Sequence, residues 1–199
     1  MIGSKRLWAL AAAFSLPPLA LPLLSYAQTI GEPVRLTAWA VNMSNMGTGG
    51  NSTVIIQIDR WSSEAERQGL RKVFFEKGPD KLLDALQDTK RVGFIRLPNS
   101  IGYDLRAARQ DPLEDGGRRI IILTDRRIGF QEARNQPRTI DYPFTLIEIR
   151  LNKDGEGEGK MSLATKISFD EKKNTLELEN YSSEPVRLQN VRAEKIKKK

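Results

Sequence analysis

The segment 154–160, with the sequence DGEGEGK, alternates three carboxylates with glycine. Hard cations such as calcium prefer clusters of oxygen ligands, and glycine gives a backbone the freedom to turn carbonyl groups toward the same ion. A helix-flanked calcium loop also needs a later bidentate glutamate, which is missing here, and strands are predicted on both sides. We therefore interpret the segment as a solvated hairpin tip and expect no cofactor. The alternative is a calcium site formed by Asp154, Glu156 and Glu158.

A second kind of chemistry uses a pair of carboxylates. The sequence has no histidine and no cysteine, which excludes Ser-His-Asp triads, cysteine nucleophiles, disulfides and metal sites made of histidine or thiolate ligands. An acid pair, as in glycoside hydrolases, is compatible with the composition, and Glu148 and Asp141 are the candidates. Glu148 interrupts the apolar run 144–151, so it points either into a covered space or toward solvent beside a cross-strand base such as Lys166. We expect the solvent-facing arrangement.

The stretch 91–127 is rich in arginine and has aromatic residues between the arginines. Planar guanidinium groups bind carboxylate, sulfate and phosphate through paired hydrogen bonds. We expect ordinary pairing of these arginines with nearby acidic residues. The alternative is a strip for an anionic glycan or lipid headgroup, since strand alternation would place some of the arginines on one polar face. The candidate ligand-binding residues are Trp39, Trp61, Arg96 and Arg106. The arginines of the stretch are Arg91, Arg96, Arg106, Arg109, Arg118, Arg119, Arg126 and Arg127.

The elements that would position these side chains are mainly strands. Short segments of alternating apolar and polar residues, separated by turn residues, are typical of an antiparallel β-sandwich or β-barrel. The run 120–123 is apolar at every position and predicts a strand covered on both faces, and the last third predicts an antiparallel meander. A long loop rich in glycine and asparagine is expected over 42–51. The ten predicted strands cover residues 33–41, 54–58, 92–97, 102–108, 119–123, 128–133, 143–151, 161–169, 176–178 and 186–188.

The region 62–88 departs from this pattern because its apolar residues have helical spacing. Ser63 and Glu66 have the spacing of a capping box, and Gly78 followed by Pro79 ends the first helix. A second short helix follows. We therefore predict a mainly β fold of the α+β class, in which a helical hairpin insertion covers one end or edge of the sheet.

Residues 1–27 have the organisation of a secretory signal peptide. Lys5 and Arg6 precede an apolar run, and small residues fit a cleavage site after residue 27. An uncleaved anchor is the alternative, because the apolar run 7–24 reaches the lower limit for spanning a bilayer. We predict an exported protein, periplasmic or extracellular, with no membrane span after cleavage and a single globular domain over 28–191.

The residues 192–199 form a predicted basic tail, with five basic residues and one acidic residue. We interpret the tail as a solvated terminus. The alternative is contact with an anionic envelope component, through the tail or through the arginine-rich stretch. Nucleic acid is not an expected partner, because the tail has no aromatic residue on which bases could stack.

Three segments resemble stretches of uncharacterised secreted bacterial proteins: RVGFIRLPNSIGYDLR (91–106), DYPFTLIEIRL (141–151) and DGEGEGKMSLATK (154–166). The likeness runs from residue 61 to residue 191. It implies an exported bacterial domain and transfers no activity or site residue. We therefore expect a non-enzymatic exported β domain that acts as a binding or envelope-associated module. The alternatives are a carbohydrate hydrolase with an Asp/Glu pair and a small barrel that carries an apolar ligand.

Overall fold

The computed structural model describes residues 31–41, 51–98, 101–126, 128, 144–170, 175–180 and 185–196. In them, ten antiparallel strands form one sheet that curls into a nearly closed barrel, and two helices pack on its outside, so the predicted mainly β fold with a helical insertion is confirmed. The elements are β1 Val34–Val41, β2 Asn51–Ile58, α1 Glu64–Lys77, α2 Pro79–Asp88, β3 Gly93–Arg96, β4 Tyr103–Leu105, β5 Ala107–Pro112, β6 Arg118–Leu123, β7 Phe144–Leu151, β8 Glu156–Asp170, β9 Thr175–Asn180 and β10 Val186–Lys195.

The order of the strands explains how the barrel closes. Neighbouring strands follow the order β4-β3-β2-β1-β10-β8-β7-β6-β5, and β9 pairs with the second half of β8. The meander predicted for the last third is present from β5 to β9, but β10 pairs with β1 and β8 instead of β9. The C-terminal strand therefore joins the N-terminal strands to the rest of the sheet.

Alternating burial shows which side of each strand faces the interior. In β1, Val34, Leu36 and Ala38 are at most 4% exposed, whereas Trp39 is 42% exposed on the opposite face. The same alternation in the other strands fills the barrel with aliphatic side chains, and burying each large one stabilises the fold by about 1.5–3 kcal/mol. The largest fully buried core residues are Leu36, Ile56, Ile58, Leu105, Ile120, Ile122, Ile147, Ile149, Leu151 and Met161.

The predicted helical hairpin is present and lies on the outer face of the sheet. Phe74 of α1 and Leu82 and Leu86 of α2 form a second core with Phe144 of β7 and Ile167 of β8. The capping box is confirmed, since the Ser63 hydroxyl accepts from the backbone N–H of Glu66, and the Glu66 carboxylate accepts from that of Ser63. Neither helix of the described chain is long and apolar enough to cross a membrane.

The single strand predicted over 102–108 is wrong, because Arg106 divides it into β4 and β5 at opposite edges of the sheet. The Arg106 N–H donates to the carbonyl oxygen of Leu123 in β6 at 3.0 Å, so the chain crosses from one edge to the other there. The open side of β5 pairs with the segment before α1: Ser62 N donates to the Ala108 carbonyl at 2.9 Å, and Ser62 Oγ accepts from Ala108 N at 3.1 Å. We call the junction of β4 and β5 at Arg106 the seam.

The turn predicted over 154–160 is shorter than expected, because β8 begins at Glu156. Glycine occupies alternate positions where β8 lies closest to its neighbours. A Cβ at Gly157 would lie 1.9 Å from the Arg150 carbonyl oxygen, and one at Gly159 would lie 2.6 Å from that of Glu148. Side chains cannot fit at these positions, so the glycines follow from strand packing.

Two further expectations are corrected. In β6, Ile120 and Ile122 are fully buried, but Ile121 and Leu123 are half-buried on the outer face, so the strand is not fully covered on both sides. The predicted tail begins inside β10, which runs to Lys195 opposite Val34 of β1.

The loop over 42–50 and the strand over 129–133 lie outside the described residues. Ile128 is buried in the core but belongs to no strand.

Candidate ligand-binding cleft

The hairpin of β3 and β4 forms one edge of the sheet and carries a concave surface. Ile95 lies opposite Tyr103, and both are directed toward the core, whereas Phe94 and Asp104 lie opposite each other on the outside. The turn requires glycine at Gly102, since its φ of 88° disfavours side chains and a Cβ would lie 2.6 Å from the Ile95 carbonyl oxygen. The register of the two strands therefore places the side chains of Phe94 and Asp104 next to each other on the outside of the hairpin.

A cleft of about 270 Å³ opens on this hairpin, slightly smaller than the usual range for small-molecule sites. Ile101 on its rim is fully exposed, and Phe94 and Tyr103 are half-buried. The cleft thus combines aromatic and aliphatic surface with guanidinium groups. We call it the β3–β4 cleft, and its described lining residues are Arg91, Phe94, Arg96, Ile101, Gly102, Tyr103 and Asp104.

Several arginines of the arginine-rich stretch are paired with aspartates, which is the ordinary pairing that we expected. Arg91 lies 3.5 Å from Asp104 and 3.8 Å from Asp59. Arg109 and Arg119 both contact Asp111, at 2.6 Å and 3.4 Å. Burial favours the neutral form of Asp111, but the hydrogen bonds and charges of these two arginines outweigh it and hold the pKa of that carboxyl below its usual value. These side chains compensate one another's charge.

The candidate Arg106 is held at the seam. Its Nε donates to Asp125 Oδ2 at 3.0 Å, its Nη1 donates to the carbonyl oxygen of Thr89 at 3.2 Å, and its Nη2 lies 3.9 Å from Asp104. The side chains of Arg106 and Asp125 are 22% and 12% exposed. Because its Nε and Nη1 each donate to a partner and little of its surface is exposed, Arg106 stabilises the junction of β4 and β5.

Two arginines differ from these because each is stacked on an aromatic ring. The guanidinium carbon of Arg96 lies 5.4 Å from the centre of the Phe94 ring, and that of Arg126 lies 4.8 Å from the centre of the Tyr103 ring. Among the described residues, no carboxylate lies within 4.0 Å of either group. A stacked guanidinium keeps its in-plane N–H groups directed outward, which is the geometry that binds an oxyanion in a bidentate manner.

The two candidate tryptophans have different environments. Trp61 is 7% exposed in the barrel core, and its Nε1 donates to the carbonyl oxygen of Glu32 at 3.2 Å. It is therefore a structural residue in this fold. Trp39 lies 42% exposed on the outer face of β1, opposite Thr53 of β2 and Gln189 of β10. Only Trp39 of the pair presents its ring to solvent.

The acidic candidates for calcium are spread over the turn and the first residues of β8. Asp154, Glu156 and Glu158 are all exposed, and Glu156 lies 3.6 Å from Arg192 of β10. Asn152 organises the turn instead, because its Oδ1 accepts from the backbone N–H groups of residues 154 and 156. Among the described residues, no three or more acidic side chains come together as a metal site.

The candidate acid Glu148 lies on the outer face of β7, with 41% of its side chain exposed. Its carboxylate accepts from Arg150 Nε at 3.1 Å, and the residue opposite it on β8 is Lys160, whereas Lys166 lies opposite Glu179. Glu148 therefore faces solvent, as expected, but its basic neighbours are Arg150 and Lys160 instead of Lys166. The second candidate, Asp141, lies outside the described residues.

The barrel interior bears on the ligand-carrier alternative. A cavity of about 20 Å³ lies beside Tyr103, and its lining combines core residues with the exposed Arg96 and the half-buried Leu97. Drug-sized ligands need about 300–1,000 Å³. This cavity is too small for a ligand of that size.

Sequence reasoning selected Arg96 as a candidate and placed Tyr103 and Arg126 in the arginine-rich stretch without selecting either. It missed Ile101, on the rim of the cleft. If the strand predicted over 102–108 had been ended before Arg106, the alternation of β3 and β4 would have predicted the pair of Tyr103 and Ile95. The contact of Arg126 with Tyr103 joins segments that are distant in sequence, and no local signal reveals it.

Comparisons with protein-family models, with curated proteins and with solved structures found no match to this chain. The resemblance to secreted bacterial proteins stays a prediction. Function is therefore inferred from the geometry and chemistry of the cleft.

Proposed function

We propose that this chain is an exported, non-catalytic binding module whose β3–β4 cleft binds a ligand bearing a carboxylate, sulfate or phosphate group. The observation that supports the proposal is the difference among the arginines. Arg91, Arg106 and Arg109 are paired with aspartates, whereas Arg96 and Arg126 are stacked on aromatic rings without a carboxylate nearby among the described residues. Export is proposed from the sequence of residues 1–27.

Physical chemistry favours an anion at this position. A guanidinium stacked on a ring is held in a fixed orientation, so little rotamer entropy is lost when it forms hydrogen bonds to an anion. Phe94, Tyr103 and Ile101 add apolar surface that a ligand can cover. Because Arg96 and Arg126 are exposed, their electrostatic contribution should fall as salt rises.

The test measures binding of the full chain, purified as an exporting host processes it, to immobilised heparin and to immobilised polygalacturonate. We expect binding that weakens with salt and that falls on the order of tenfold or more when Arg96→Gln and Arg126→Gln are combined. The matched control combines Arg187→Gln with Lys160→Gln, which removes two positive charges from exposed, facing positions of β10 and β8.

Equal losses in the two double variants would contradict the proposal, since general charge attraction would then explain binding. Absence of any binding that depends on Arg96 and Arg126 would contradict it as well. Thermal unfolding of each variant serves as the folding control, and exposed substitutions of this kind should change stability by no more than about 0.5 kcal/mol.

A further inference from the structure

Trp39 lies at the centre of an outward sheet surface without being needed by the core. Its neighbours in β1, Ala38 and Ala40, are 3% and 1% exposed and face the interior, whereas the indole is 42% exposed on the other side. Thr53 and Gln189 flank it on the two neighbouring strands. An indole surrounded by hydroxyl and amide side chains offers a flat apolar face with hydrogen-bonding groups at its edge.

This surface is continuous with the β3–β4 cleft. Thr37 of β1 lies opposite Ile55 of β2, and Ile55 lies opposite Arg96 of β3. Trp39 is two residues further along β1, so the backbones of Trp39 and Arg96 are on the order of 10–12 Å apart. We call this surface the β1–β3 face, and its residues are Thr37, Trp39, Thr53, Ile55, Phe94 and Arg96.

Charge distinguishes the β1–β3 face from the rest of the outer sheet. None of the six residues of the β1–β3 face is acidic, and the carboxylate next to it, that of Asp104 opposite Phe94, lies 3.5 Å from Arg91. By contrast, the outer positions of β7, β8 and β10 carry both carboxylates and cations, which compensate one another in pairs such as Glu148–Arg150 and Glu156–Arg192. These carboxylates belong to Glu148, Glu156, Glu158 and Glu194.

From these observations we propose that the ligand is an acidic polysaccharide that lies across the β1–β3 face, with an acid group at Arg96 and a sugar ring against Trp39. This inference rests on the proposed function. The surface extends over three strands, and Trp39 and Arg96 on it are on the order of 10–12 Å apart, which fits a chain of sugar units better than a compact ligand. Sugar rings have an apolar C–H face that packs on an indole, and their hydroxyl groups can bond to Thr37, Thr53 and Gln189.

The test uses oligogalacturonates of increasing length with the full chain and follows both affinity and tryptophan fluorescence. Affinity should rise with length until the oligomer spans both positions, and Trp39→Ala should abolish this gain, a loss on the order of tenfold, while the affinity for galacturonic acid itself stays unchanged. Phe75→Ala is the matched control, because Phe75 is 45% exposed on α1. Long oligomers should also protect Trp39 from fluorescence quenching by acrylamide. The difference in quenching between the natural chain and Trp39→Phe gives the contribution of Trp39 apart from the other tryptophans.

The remaining outcomes separate this inference from the proposed function. Binding that requires Arg96 and Arg126 but neither depends on Trp39 nor protects it would overturn the inference and leave the proposed function in place. Arginine-dependent binding to phosphatidylglycerol vesicles, with none to oligogalacturonates or heparin, would replace the polysaccharide with a membrane surface. Loss of binding in Phe75→Ala equal to that in Trp39→Ala would also overturn it. Failure of every anionic probe to bind through the two arginines would refute the proposed function itself.

Discussion

Replacing Arg106 with glutamine should open the seam between β4 and β5. The substitution removes the 3.0 Å bond to Asp125 and the 3.2 Å bond to the Thr89 carbonyl, and it leaves a carboxylate that is only 12% exposed without its partner. Breaking a fully buried pair costs about 3–5 kcal/mol, and losing a hydrogen bond to a charged group costs about 1.5–3 kcal/mol. Because Arg106 keeps 22% exposure, we expect a loss of about 2–3 kcal/mol in the free energy of unfolding.

Reversible urea unfolding followed by circular dichroism measures this loss. A double-mutant cycle with Asp125→Asn should show a coupling of about 1–2 kcal/mol between the two side chains, because they act on each other directly. The control is Arg109→Gln, whose pair with Asp111 has side chains 47% and 30% exposed and should contribute less than about 1 kcal/mol. A loss in Arg106→Gln no larger than that in Arg109→Gln, or additive effects in the cycle, would refute a structural role at the seam.

The other predictions concern the close strands and the start of α1. Gly157→Ala should destabilise the protein by about 2 kcal/mol or more, since the new Cβ would meet backbone atoms, whereas Gly69→Ala on the open face of α1 should stabilise it by about 0.5–1 kcal/mol; urea midpoints in the reverse order would contradict the packing argument. The hydrogen bond from Arg60 holds the pKa of Glu66 below its usual 4.5, so the stability from this group is complete above that pH and is lost as pH falls through the lowered pKa. The stability difference between the natural chain and Glu66→Gln should therefore shrink from about pH 6 to about pH 3, and a constant difference would argue against this linkage.

Local sequence patterns predicted most of the elements, because the forces that form them are local. Alternation placed Trp39 on the opposite face from Val34 and Leu36, and burial confirms this division. The spacing of Ser63 and Glu66 predicted a helix start that has both reciprocal hydrogen bonds. These signals depend on residues within a few positions of one another.

The closure of the barrel and most of the cleft depend on distant contacts, which local patterns do not contain. Nothing around Arg106 indicates that the strand ends there, because the cause is a bond to Leu123 and a carboxylate 19 residues away. The glycines of 154–160 fit a flexible tip and a crowded strand equally well until the distance to β7 is known. Arg96 was selected as a candidate, but only the ring contacts separate it from its paired neighbours.

The barrel's outer surface divides into three sectors, which differ in whether the helices cover them and in whether their charges are paired. The helices cover residues of β5 to β8 through the second core around Phe74 and Leu86. The outer positions of β7, β8 and β10 carry opposite charges that compensate one another, as in the pairs Glu148–Arg150 and Glu156–Arg192. The face of β1 to β3 is neither covered by the helices nor internally compensated, because Arg96 faces no acid on its own strands. A ligand that supplies the negative charge would complete this sector, so binding should depend on Arg96 more than on any exposed cation of β7, β8 or β10.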